Sequence, residues 1–210
     1  VGHVRRLSPH VGGFKIGHAL TLHRGLDVVT ELQDAGARRI FLDLKFHDIP
    51  SVVGLAVREA CRRGVWMLTM HVAGGRAMMQ AAVEEASMLP EEARPCLLGV
   101  TVLTSLDDRA LRDEIGVPAT VEEQMLRMSR LAIENELDGV VCSPKEVAAL
   151  RGSLGGGPLL VVPGIRPAGS TTGDQKRTGD PASAIGDGAS YLVMGRALVN
   201  HPDPAALLAA

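Results

Sequence analysis

Seven short apolar runs recur along the chain, and longer segments with helical spacing of apolar residues separate them. The runs cover residues 13–17, 39–45, 65–72, 96–102, 139–142, 158–163 and 191–195. Most of them are continuously apolar rather than alternating, which is typical of parallel strands covered on both faces. The pattern therefore predicts seven buried parallel strands.

The segments between these runs are predicted to be helices. One helix is expected over 51–63, directly after Pro50 and before Gly64, a residue type that ends helices well. A second is expected over 121–136, where one face collects Val121, Met125, Met128 and Ala132. Shorter helices are expected over 107–115, 145–151 and 201–210. Such alternation predicts a parallel α/β fold, either a closed barrel or an open doubly wound sheet.

Polar residues within or at the ends of the predicted strands favour the barrel. They are Lys15, Asp43, Lys45, His71, Thr101, Ser143 and Arg196. Ionisable groups from this many strands converge on one point only if the strands form a ring, as in a TIM (β/α)8 barrel. An open sheet would gather a ligand at the few strands beside its switch point.

The pattern holds seven strands where a TIM barrel has eight. The chain opens in what resembles the end of a first helix, so the first strand is missing from this chain. Because a ring that loses a strand exposes sheet edges, we expect that strand to lie upstream. We expect residues 1–210 to form a single barrel domain.

The amino-acid composition argues against nucleic acids and membranes as binding partners. Hydrophobic residues make up 46% of the chain, charged residues 22% and aromatic residues 2%, with a net charge of −2. Without a basic excess or many rings, nucleic-acid binding is not expected. No apolar stretch reaches the ~20 residues of a membrane helix, and the N-terminus does not resemble a signal peptide. We expect a soluble cytoplasmic protein in which Cys61, Cys96 and Cys142 are reduced, buried thiols.

One segment, 164–188, interrupts the alternation. It is rich in Gly, Pro, Thr and Asp, and it contains Arg166 and Gln175. A long loop after this strand falls over the mouth of a barrel, so we interpret it as a lid rather than as an ordinary surface loop.

Two groups of residues carry candidate chemistry. Asp43 and Lys45 lie two apart on one strand and share a face, with Asp48 on the following loop and Lys15 on the neighbouring strand. A buried ion pair would explain Asp43 and Lys45 alone, but an array of four charges is hard to explain as packing. At the end of the last strand, Gly195 and Arg196 suit a phosphate group, together with Arg166 and Gln175 of the predicted lid.

The segment Asp43-Leu-Lys-Phe-His-Asp-Ile-Pro50 resembles the D-x-K-x-x-D-I-P signature of orotidine 5'-phosphate decarboxylases. Other stretches resemble the bacterial branch of that family in the same order: Phe14–Gly17, Met70–Gly75, Val100–Ser105, Val162–Pro167, Gly173–Gln175 and Val193–Arg196. The resemblance runs from about Phe14 to the C-terminus.

The resemblance implies specific roles. Lys45 would be the general acid that delivers a proton to C6 of the pyrimidine, within a charged network of Lys15, Asp43 and Asp48. Asp48 would reach the site of the other subunit of a homodimer. Substrate-binding residues would be Lys15, Asp43, Thr104, Pro163, Arg166, Gln175, Gly195 and Arg196. No metal or organic cofactor would take part. The aspartate that ends the family's first strand has no counterpart here.

Two alternatives remain open from the residues. A related barrel decarboxylase or aldolase of sugar phosphates would use the acids of the D-x-K-x-x-D motif, Asp43 and Asp48, to help hold a magnesium ion. A divalent-metal epimerase of pentose phosphates would use His71 and Asp43. A barrel that binds a nucleotide or sugar phosphate without turnover would fit the absent aspartate. The Pro-Gly-Ile-Arg and Gly-Asp-Gln elements argue against the first alternative, the metal-dependent enzymes, because the nucleotide enzyme uses them. The four charges argue against the second, because a protein that only binds a phosphate has no need to keep Lys15, Asp43, Lys45 and Asp48 together.

Overall fold

A computed structural model describes residues 1–166 and 179–209, the last of these by its backbone alone. The strands are β1 (Phe14–Gly17), β2 (Ile40–Phe46), β3 (Met67–His71), β4 (Cys96–Val100), β5 (Gly139–Val141), β6 (Leu159–Pro163) and β7 (Tyr191–Val193). The helices are α1 (Gly2–Leu7), α2 (His18–Arg24), α3 (Val28–Asp34), α4 (Pro50–Arg62), α5 (Gly75–Ser87), α6 (Asp108–Asp113), α7 (Val121–Glu134), α8 (Val147–Leu154), α9 (Pro181–Gly186), α10 (Arg196–Val199) and α11 (Pro204–Ala209).

The seven strands form one sheet whose spatial order is the order of the chain, and all neighbours in it are parallel. All seven predicted strands are confirmed, with bounds within two residues of those expected. Among the described residues, β1 and β7 are the two edges of the sheet.

The sheet curls into a nearly closed barrel. Trp66, which precedes β3, packs edge-on against Tyr191 of β7 with ring centroids 5.1 Å apart. In a flat sheet, four strand spacings of about 4.8 Å would separate β3 from β7, so this contact requires curvature. The prediction of a ring rather than an open sheet is confirmed.

Two apolar clusters fill the barrel, and the alternation of side chains along each strand separates them. Phe41, Met67, Leu98 and Val161 form a small cluster of their own, contributed by four different strands. The neighbouring positions Leu42, Leu68, Leu97 and Val162 belong to the large cluster that also contains the apolar faces of the helices. The first cluster fills the barrel interior and the second fills the layer between strands and helices, as expected for this architecture.

The predicted helices are confirmed with small shifts. Helix α4 begins at Pro50, whose fixed φ suits the first helical position, and ends at Arg62. Helix α7 begins after Thr120, which forms a capping box with Glu123, and it buries Met125, Met128 and Ala132. Among the described helices, none is long and apolar enough to cross a membrane.

The segment 164–188 is more ordered at its C-terminal end than predicted. Helix α9 occupies Pro181–Gly186, because the side chain of Asp180 accepts a hydrogen bond from the Ser183 backbone and Pro181 takes the first helical position. The prediction of a long loop without secondary structure is therefore wrong for this part. Arg166 and Gly179 are in contact, since the Arg166 backbone N–H donates to the Gly179 carbonyl at 3.0 Å.

The two ends of the described chain also meet. The guanidinium of Arg6 in α1 donates hydrogen bonds to the carbonyl oxygens of Val199 and His201, which follow the last strand. The cysteines form no disulfide; Cys61 and Cys142 are buried as predicted, whereas Cys96 is only partly buried.

Candidate active site

Strand β2 is irregular where it carries Asp43 and Lys45. Leu42 pairs with Leu68 and Phe46 pairs with Met70, so four steps along β2 match two steps along β3. Lys45 lies within this bulge and adopts a φ of 49°, in the left-handed region that residues other than glycine rarely enter. Bulges of this kind re-aim side chains beside active sites.

Two hydrogen bonds from outside β2 support the bulge. The Lys45 backbone N–H donates to Thr69 Oγ1 at 2.9 Å, and Nε2 of His18 in α2 lies 3.0 Å from the Leu44 carbonyl oxygen. The Leu44 carbonyl and the Lys45 N–H thus bind side chains at the point where the backbone hydrogen bonds between β2 and β3 are interrupted. Such pairing is needed because unpaired backbone groups are costly.

Asp43 lies between two ammonium groups at the C-terminal ends of the strands. Its Oδ2 is 2.9 Å from Lys15 Nζ, and its Oδ1 is 2.8 Å from Lys45 Nζ. The Asp43 side chain is only 14% exposed, while both lysine side chains remain about one-third exposed at 30% and 35%. The structure therefore brings together three of the four predicted catalytic residues.

The two lysines decide the charge of Asp43. Burial alone would raise the pKa of Asp43, but the charges of Lys15 and Lys45 and their hydrogen bonds outweigh it and lower that pKa below its usual 3.8. Asp43 is consequently ionised at neutral pH. Two lysines and one ionised aspartate give the array a formal net charge of +1, which suits an anionic ligand.

Thr69 of β3 belongs to this array, and sequence reasoning missed it. It is fully buried and donates from Oγ1 to Asp43 Oδ1 at 3.1 Å, while it accepts the Lys45 N–H. A signal was present in the sequence: Thr69 is a polar residue inside an otherwise apolar run, two positions before His71 and on the same face.

Two histidines stand beside the charged array. The rings of His47 and His71 have centroids 5.2 Å apart and are tilted by 37°. Burial, the neighbouring His47 and the charge of Lys45 lower the pKa of His71 below its usual 6.5, although Asp43 opposes the shift. His71 is therefore neutral at pH 7. Its expected role in supporting the site stays a prediction.

Asp48 lies apart from the other three charges. Its side chain is exposed, and its Oδ1 accepts a hydrogen bond from the Ile49 backbone N–H at 2.7 Å. Within the described part of the chain, no ion pair joins Asp48 to Lys15 or Lys45. Its exposed position leaves Asp48 accessible to a neighbouring subunit. The expected role of Asp48 in the site of that subunit stays a prediction.

The residues predicted to bind substrate occupy the same end of the barrel. Thr104 lies half-buried in the turn after β4, and Pro163 ends β6 opposite Val193 of β7. Arg166 follows β6, and its guanidinium donates to the Ile165 carbonyl at 3.0 Å. These placements follow from the topology, because the C-terminal ends of parallel strands lie at one end of a barrel.

Gly195 and Arg196 form the turn from β7 into α10. Gly195 caps the helix, and a Cβ built on it would meet no atom within 4 Å, so there is open space beside its backbone. Arg196 is the first residue of the helix and is exposed. Gly195 and Arg196, the residues predicted to bind phosphate after the last strand, are therefore accessible. Gln175, and with it the central part of the predicted lid, lies outside the described residues.

A groove of about 590 Å³ lies elsewhere, between the start of α5 and α7. None of the predicted site residues lines it, so the groove and the charged array are separate features. Among the described residues, no three side chains of His, Cys, Asp or Glu are grouped closely enough to hold a metal ion.

The fold and the charged array define an α/β-barrel enzyme with its chemistry at the C-terminal ends of the strands. The orotidine 5'-phosphate decarboxylase / HUMPS family matches residues 2–210. The chain belongs to this family, as the resemblance in its motifs predicted.

Individual relatives agree with the family match. The chain is 50% identical over 207 residues to the orotidine 5'-phosphate decarboxylase of Moorella thermoacetica, covering 97% of this chain and 81% of the relative. It is 46% identical over 206 residues to that of Pseudoalteromonas translucida, covering 98% and 87%. Among solved structures, the orotidine 5'-phosphate decarboxylase of Lactobacillus acidophilus superposes with a TM-score of 0.82 at 36% identity, covering 93% of this chain and 83% of that one.

Proposed function

We propose that this protein decarboxylates orotidine 5'-monophosphate to uridine 5'-monophosphate, the last step of de novo UMP biosynthesis. The observation that carries the proposal is the Lys45 ammonium, held 2.8 Å from an ionised Asp43 at the mouth of the barrel. The 50% identity to the orotidine 5'-phosphate decarboxylase of Moorella thermoacetica supports it.

In the proposed reaction the bond between C6 and the carboxylate carbon breaks, carbon dioxide leaves, and the electron pair stays on C6. The ring delocalises this charge poorly, so the charge must be met electrostatically. The Lys45 ammonium is positioned for this and then delivers its proton to C6. Asp43 keeps Lys45 in place, and Lys15 shares the same carboxylate from the other side.

The remaining predicted residues would hold the substrate. Thr104 and Pro163 would contact the nucleoside part, and Arg166, Gly195 and Arg196 the phosphate, with Gln175 bridging the pyrimidine and the phosphate. The phosphate lies far from the reacting carbon, so its binding energy can order the site around the reactive groups. The positive charge of the array within one chain assists the approach of a substrate that carries both a carboxylate and a phosphate.

The geometry favours proton donation over the metal-dependent alternatives. Both oxygens of Asp43 already face ammonium groups at 2.8 and 2.9 Å, and Oδ1 also accepts from Thr69. A metal ion would have to displace one of these partners from the carboxylate. We therefore propose that the reaction proceeds without a metal or organic cofactor.

We also propose that the enzyme acts as a homodimer that shares its sites. Exposed Asp48 lies beside a stripe of exposed apolar side chains at the start of α4, formed by Ile49 at 62%, Val52 at 43% and Leu55 at 54% exposure. Contiguous exposed apolar residues mark interaction surfaces. A second copy packed on this stripe would cover it and would bring Asp48 close to the partner subunit.

The test is the loss of orotidine monophosphate absorbance, followed with purified wild type and Lys45→Ala. Turnover should fall by at least about 1,000-fold in Lys45→Ala, since both charge stabilisation and proton donation are removed. Lys145→Ala is the control, because Lys145 is exposed and makes no ion pair within the described residues. Equal rates for wild type and Lys45→Ala would contradict the proposal. Loss of turnover on chelation, restored by Mg²⁺, would favour a metal-dependent reaction.

A further inference from the structure

Thr69 closes a ring of hydrogen bonds around Lys45. The Lys45 N–H donates to Thr69 Oγ1 at 2.9 Å, Oγ1 donates to Asp43 Oδ1 at 3.1 Å, and Lys45 Nζ contacts the same oxygen at 2.8 Å. A threonine hydroxyl can donate one hydrogen bond and accept two, so one group serves both contacts. The ring ties the two ends of the lysine, its backbone nitrogen and its ammonium, to one oxygen of Asp43.

The ring is needed because the local backbone does not hold Lys45 by itself. The lysine has a φ of 49° within a bulge that interrupts the pairing of β2 with β3. A left-handed conformation is unfavourable for a residue with a Cβ, and it persists only where the surroundings determine it. Thr69, which is fully buried in the neighbouring strand, stabilises this conformation by accepting the hydrogen bond of the Lys45 N–H.

We propose that Thr69 is a positioning residue, whose hydroxyl sets the direction of the Lys45 side chain relative to Asp43 and thereby the approach of the ammonium to the reacting carbon. The proposal rests on the proposed function for its catalytic consequence, although not for its geometry. Thr69 acts through Lys45 and Asp43 and has no contact of its own with substrate in this scheme.

The test separates the hydroxyl from the volume of the side chain. Thr69→Val keeps the shape and removes the hydroxyl, whereas Thr69→Ser keeps the hydroxyl and removes a methyl group. Ser129→Ala is the control, because it also removes a fully buried hydroxyl, one that lies in α7 and donates to Met125 Sδ instead of to the charged array. The readouts are kcat and KM for orotidine monophosphate and the exchange rate of the Lys45 amide hydrogen.

We expect kcat of Thr69→Val to fall by about 10- to 100-fold while KM changes by less than about threefold, because a misdirected ammonium affects the chemical step more than binding. Amide exchange at Lys45 should accelerate by about tenfold, since its hydrogen bond is lost. Thr69→Ser should retain most of the wild-type kcat, and Ser129→Ala should match wild type.

A kcat of Thr69→Val within twofold of wild type, or a Thr69→Ser variant as slow as Thr69→Val, would overturn the positioning role and leave the proposed function standing. If wild type itself does not turn over orotidine monophosphate, the proposed function fails instead. The exchange rate then decides the geometry: unchanged exchange at Lys45 in Thr69→Val would overturn the ring, and accelerated exchange would support it.

Discussion

Asp43 shows how a single carboxylate can organise a site of opposite charges. It faces Lys15 through one oxygen and Lys45 through the other, and Thr69 fills a further acceptor position on the second oxygen. Each partner stabilises the ionised form, which offsets the cost of removing a carboxylate from water. At the scale of the residue, the chemistry therefore depends on the three hydrogen-bond donors that the Asp43 carboxylate binds at once.

His71 gives a prediction about pH at the same scale. Its pKa is lowered in the fold by burial, His47 and Lys45, whereas in the unfolded chain it returns to about 6.5. Below that value the unfolded chain takes up a proton that the folded protein does not, so stability is lost as the pH falls. In urea titrations, the unfolding free energy should decrease as the pH falls below about 6.5, and less so in His71→Asn.

The control for this experiment is His3→Asn, at an exposed position in α1. It should follow the wild-type pH dependence. If His71→Asn shows the same dependence as wild type, burial of the His71 ring does not contribute to acid sensitivity.

At the scale of elements, the packing of α7 on the sheet depends on a glycine in β4. A Cβ built on Gly99 would lie 2.7 Å from Val72 Cγ2 and 3.1 Å from the Ala132 Cβ. Gly99→Ala should therefore lower the unfolding free energy by about 1–3 kcal/mol, because the helix must move away from the strand. Urea denaturation monitored by circular dichroism measures this change.

Gly152→Ala is the matched substitution at a site without crowding. Gly152 lies in α8, and its Cβ would meet no atom within 4 Å. There the change should raise stability by about 0.5–1 kcal/mol, because alanine loses less conformational freedom in a helix. Equal effects at the two glycines would contradict the close packing described for β4.

At the scale of the whole molecule, the shared site predicts complementation between two inactive variants. In a heterodimer of Lys45→Ala and Asp48→Asn chains, one site would combine the intact Lys45 of one chain with the intact Asp48 of the other. If subunits exchange freely in an equal mixture, about a quarter of wild-type activity should return, since half the dimers are mixed and each holds one good site.

Turnover of the mixture, compared with each variant alone, measures this. Activity no higher than that of the separate variants would mean that Asp48 acts within its own chain or that the chains do not associate. Sedimentation velocity of the same samples distinguishes these two outcomes.

Much of the fold followed from the sequence, because strand and helix periods are local properties. The seven apolar runs, the alternation with helices and the spacing of two between Asp43 and Lys45 predicted the barrel and the shared face of these two residues. The motif 43–50 also indicated the family, which the relatives confirm.

Only the tertiary structure decided how the charged residues are held. The bulge in β2, the left-handed backbone of Lys45 and the contacts of Thr69 and His18 depend on strand register and on side chains brought together from distant positions. Periodicity assigns a residue to a face but does not fix the residue opposite it, because register is set by packing across strands. The sequence by itself therefore determined the barrel, its family and its charged residues, and the tertiary structure determined which groups direct Lys45.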